Sequence, residues 1–93
     1  MRISKNEIEA IKESVNSLDK GAEIYLFGSR NLDLAKGGDI DLLIISEKLS
    51  YDDTITIRKT LYEKLDEQKI RIIIALDTTD PFVRIAYREG VLL

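Results

Sequence analysis

Ninety-three residues suit one small domain with a single core, and we read residues 1–93 as that unit. Hydrophobic residues make up 44% and charged residues 33%, the balance of an ordinary globular chain; a net charge of −3, with its basic residues dispersed, argues against general nucleic-acid binding. Cysteine and histidine are both absent, which removes disulfides, thiolate nucleophiles, most zinc sites and every histidine-based catalytic pair, and leaves carboxylate chemistry.

The N-terminal stretch lacks the apolar core of a signal peptide, and no apolar run approaches the roughly 20 residues that cross a bilayer, so a cytoplasmic location without membrane contact is expected. Ser4 with Glu7 has the form of a capping box. Ile8, Ile11, Val15 and Leu18 follow at helical spacing, predicting a helix over 5–20 that Gly21 ends in a left-handed conformation. Glu23 to Phe27 and Asp39 to Ser46 are rich in β-formers and read as strands. The second carries apolar residues without alternation from Leu42 to Ile45, so both of its faces should be covered.

Ser50 can cap a second helix with Asp52 and Asp53 in its first turn and Leu61, Tyr62 and Leu65 as its inward stripe. Ile70 to Leu76 is a third strand. Asp80 and Pro81 then supply the cap and first turn of a short helix that stops at Gly90, and Val91 to Leu93 can add an edge strand. Strand, helix and strand in succession form a βαβ unit, which makes strands two and three parallel neighbours. Their N-terminal ends then share one rim. Asp39, Asp41 and Arg71 all belong to it.

Residues i and i+2 of a strand point to one face with Cα atoms about 6.5–7 Å apart, so Asp39 and Asp41 can converge on one cation. Without a cation they repel by roughly 1–3 kcal/mol at a surface-like dielectric. Oxygen-only ligands suit Mg²⁺ or Mn²⁺, which complete their shells with water and phosphate oxygens. Gly28 and Ser29, directly after the first strand, allow close backbone approach and offer donors to a phosphate, and Arg30 adds charge. The set points to metal-assisted phosphoryl or nucleotidyl transfer. Taken singly, each piece also has a structural reading: an Asp pair caps loops, a Gly-Ser pair makes turns, Lys36 and Lys69 suit solvent as well as phosphate, Tyr25 and Tyr62 suit packing as well as stacking on a base, and Phe82 and Tyr87 suit the core or a partner surface.

Gly28-Ser29, a spacer of about ten residues and Asp39-Ile40-Asp41-Leu42 together resemble the signature of the DNA polymerase β superfamily of nucleotidyltransferases, and the short chain is similar to its minimal members. The likeness covers nearly the whole chain. It implies an α/β (α+β) nucleotidyltransferase fold, a mixed sheet of three to four strands flanked by helices. It places Gly28, Ser29 and Arg30 at the triphosphate of ATP, and Asp39 and Asp41 on the catalytic Mg²⁺ or Mn²⁺. It further implies an antitoxin paired with a HEPN-type toxin from a neighbouring gene, silenced by adenylylation of a tyrosine. The apolar tail suits a homodimer as well as such a partner.

One position departs from the pattern. Where the family carries a third carboxylate on the next strand, this chain has Arg71, so the trio sums to −1 instead of −3. A unit charge about 5 Å from a divalent cation amounts to roughly 6 kcal/mol at an effective dielectric near 20, before screening. Arginine also stays protonated and cannot replace a general base. The alternative expectation is therefore a catalytically degenerate nucleotide-binding or antitoxin subunit, with Arg71 paired to Asp39 or Asp41 in place of a metal.

Overall fold

The computed structural model describes residues 3–28, 40–65 and 69–93. Its elements are α1 (Lys5–Asn16), β1 (Glu23–Phe27), β2 (Ile40–Ile45), α2 (Asp53–Lys64), β3 (Ile70–Ala75), α3 (Pro81–Glu89) and β4 (Val91–Leu92). The four strands form one mixed sheet in the order β3-β2-β1-β4. β2 and β3 run parallel, as the crossover helix requires, while β1 is antiparallel to both β2 and β4. The mixed α/β expectation holds, including the parallel pair and the short C-terminal edge strand.

β2 is the centre of the molecule. Ile40, Leu42, Leu43 and Ile44 are fully buried, which accounts for the unbroken apolar run in its sequence. Its even-numbered side chains join Ile24, Leu26, Ile70 and Ile72 beneath α1 and α2. On the other face, Leu43 and Tyr25 pack with Val83 and Ala86 of α3. One consequence of the period-two alternation is that Asp41 belongs to the α3 face, not to the larger apolar layer. Among the described residues, no helix is long and apolar enough to cross a membrane.

The caps show which sequence signals were decisive. Ser4 Oγ accepts the Glu7 N–H at 3.1 Å and Glu7 Oε1 accepts the Ser4 N–H at 3.0 Å, completing the capping box. Asp80 Oδ1 accepts the N–H groups of Phe82 and Val83 at 2.8 and 3.2 Å, with Pro81 at the first helical position. The third helix therefore begins and ends where expected.

Three expectations need correction. α1 stops at Asn16, and Gly21 is not left-handed; Gly28 alone among the described residues has a positive φ. The stop comes instead from Asp19, whose carboxylate accepts the Gly21 N–H at 2.9 Å while Asn16 Nδ2 donates to its carbonyl at 3.1 Å. Leu18, lying past the helix, is consequently exposed. At α2, Ser50 does not cap with its hydroxyl; Asp53 Oδ2 reaches back to accept the Ser50 N–H at 2.8 Å. The inward stripe of α2 is Thr54, Ile57 and Leu61, spaced by three and four residues, and this turns Tyr62 outward with Ile55. Phe82 is exposed on α3, within the expected choice of core or partner surface, and Tyr87 packs edge-on against the buried Tyr25 with ring centroids 4.9 Å apart.

Candidate active site

Three strand ends meet at one rim of the sheet. β1 arrives there with its C-terminus, at Phe27 and Gly28, while β2 and β3 depart from it with Asp41 and Arg71 near their N-termini. Pairing is direct: Phe27 stands opposite Asp41 on one side of β2, and Arg71 stands opposite Asp41 on the other. The sheet register thus holds a carboxylate between a left-handed glycine and a guanidinium.

Asp41 is largely withdrawn from solvent, with 11% of its side chain exposed, whereas Arg71 is 60% exposed on the edge strand. Arg71 Nε lies 3.6 Å from Asp41 Oδ1. That separation exceeds the roughly 2.7–2.9 Å of a tight charge-assisted hydrogen bond, so this Nε–Oδ1 approach is an ionic contact. Gly28 closes the third side. Its φ is +78°, and a Cβ placed on it would overlap Asp41 Oδ2 and stand 3.1 Å from Cγ. A glycine is therefore required twice over here, by the left-handed backbone and by the carboxylate against it.

Of the residues expected at this site, Gly28, Asp41 and Arg71 are brought together. Ser29, Arg30 and Asp39 lie outside the described residues, as does Lys36. Among the described residues the donor that suits a hard divalent cation in kind is the Asp41 carboxylate, which has no side chain at Gly28 against it. Among the described residues no three potential ligands cluster.

A second polar cluster, missed in the sequence reading, lies at the opposite end of β2, about 16 Å away by strand rise. The Ser46 hydroxyl donates to Asp19 Oδ2 and accepts the N–H groups of Lys48 and Leu49, each at 3.0 Å. The Ser46 hydroxyl, then the Gly21 N–H, hold the Asp19 carboxyl below its ordinary range. A cleft of about 420 Å³ opens beside this cluster, bordered by Asp19, Glu23, Glu47, Lys48 and Leu76. Its size does not make it the reacting centre. Asp19 is already committed to Ser46 and Gly21, and three carboxylates against one lysine oppose an anionic substrate. The Asp-Lys-Gly sequence at 19–21 is an Asx-turn signal that would have revealed half of this node; Ser46 carries no comparable signal.

Tyr25, on the face shared with Asp41, has its phenol pushed up by burial first and then by Tyr87 and Glu23. Its hydroxyl donates to Glu23 Oε1 at 3.2 Å. Comparison with known protein families matches residues 8–92 to the nucleotidyltransferase domain. No curated protein matches the chain.

Proposed function

The chain belongs to the nucleotidyltransferase domain family, and on that premise we propose that it transfers AMP from ATP to a protein hydroxyl, a tyrosine of a HEPN-type toxin partner, and so acts as an antitoxin. The observation that carries the reading is the meeting of a left-handed glycine with a sheltered carboxylate at one rim of the sheet. Acceptor and partner come from the resemblance to minimal nucleotidyltransferases.

In this reading Asp41 and Asp39 hold the divalent cation, Mg²⁺ or Mn²⁺. When bound, it supplies neutralisation of the triphosphate charge. Gly28 lets the backbone come close to the phosphates, with Ser29 and Arg30 as donors to their oxygens. The acceptor oxygen bonds to the α-phosphorus, the bond to the bridging oxygen breaks, and pyrophosphate leaves while the hydroxyl proton passes to solvent. Arg71 takes no part in that proton transfer because a guanidinium stays protonated. Catalysis of this kind rests on positioning and charge.

A second reading is favoured by one observation, the Arg71–Asp41 contact. It makes the protein a catalytically degenerate antitoxin that acts by complex formation. Incubation with ATP labelled at the α-phosphate, Mg²⁺ or Mn²⁺ and the product of the adjacent gene separates the two. Label transfer that disappears in Asp41→Asn supports the transferase. Absence of transfer together with tight partner binding, unchanged in Asp41→Asn, overturns it in favour of the binding role.

A further inference from the structure

Arg71 faces Asp41 across the parallel β2–β3 pair, and its register position leaves it no choice of neighbour on the central strand. A buried carboxylate needs compensating charge or donors, and here a cation of the protein's own stands 3.6 Å away. Two features make this compensation reversible. The contact is longer than a tight charge-assisted hydrogen bond, and the arginine is mostly exposed on an edge strand, outside both apolar clusters of the core.

We propose that Arg71 is a displaceable counter-ion of Asp41 that suppresses binding of a free divalent cation and restricts loading to a cation already chelated by a polyphosphate. A free cation must displace the guanidinium and then tolerate its positive charge nearby. A cation carried by a nucleotide triphosphate arrives with negative oxygens that the displaced guanidinium can meet. Arg71 is thus a specificity-determining residue for the form in which metal enters. The inference rests on the reading of Asp41 as a cation ligand.

Binding of Mn²⁺ alone, followed by electron paramagnetic resonance or calorimetry without nucleotide, tests the idea on the full chain. Arg71→Gln should bind free Mn²⁺ at least about tenfold more tightly than the wild type, equivalent to about 1.4 kcal/mol. Arg71→Lys, which keeps the charge, should stay near the wild type, and adding Asp41→Asn to Arg71→Gln should abolish the gain. Equal Mn²⁺ affinity in Arg71→Gln and wild type would overturn the counter-ion role while leaving Asp41 as a ligand. Failure of both proteins to bind Mn²⁺ at millimolar concentration, with or without a non-hydrolysable ATP analogue, would overturn the cation site itself and the transferase reading with it. A gain that survives Asp41→Asn would place the cation elsewhere and also defeat the proposal.

Discussion

Replacing Gly28 with alanine perturbs two things whose sizes can be set out separately. The backbone at φ +78° costs a residue with a Cβ roughly 1–2 kcal/mol. The new methyl group also overlaps Asp41 Oδ2 and crowds Cγ at 3.1 Å, and forcing such contacts typically costs about 1–3 kcal/mol. Together the substitution should destabilise the domain by roughly 2–5 kcal/mol and push the Asp41 carboxylate out of position. Urea denaturation measures the first effect and Mn²⁺–nucleotide binding the second. Gly21→Ala is the internal control, because that glycine has no positive φ and its added Cβ would meet only Asp19 Oδ1, at 3.6 Å. It should shift stability by less than about 1 kcal/mol in either direction. Combining Gly28→Ala with Asp41→Ala should recover the steric part and leave the backbone part. If Gly28→Ala unfolds at the wild-type midpoint and binds the nucleotide complex normally, the packing of this corner is not as described.

Acid stability and helix capping give two more tests. The Asp19 carboxyl titrates lower in the folded chain than in the unfolded one, so its stabilisation is complete above about pH 4 and is lost as pH falls through the lowered folded value. Asp19→Asn should therefore be less stable at neutral pH and show a shallower acid decline, measured as denaturation midpoints from pH 7 to pH 2; parallel profiles would count against the Ser46 node. Asp80→Ala removes the acceptor for two N–H groups and should cost roughly 0.5–2 kcal/mol in the same assay, while Asp80→Ser should recover most of it.

The sequence by itself determined the local and the near-local. Ser4 with Glu7, Asp80 with Pro81, and the β-branched runs specify their own backbone, because a cap or a strand propensity acts within a few residues. It also led to the expectation that Asp41 and Arg71 share a rim, since a strand-helix-strand crossover favours parallel neighbours, and the register bears this out. Tyr62 shows where that reasoning weakens: an apolar residue beside the true stripe cannot be told from a member of it until the facing layer is known. Only the tertiary structure decided that β1 lies between β2 and β4, that Gly28 packs on Asp41, and that Asp19 finds Ser46. The reason is physical. These contacts join residues far apart in the chain whose individual preferences are silent about one another, and they are chosen by the register that buries Leu42, Leu43 and Ile44 most completely.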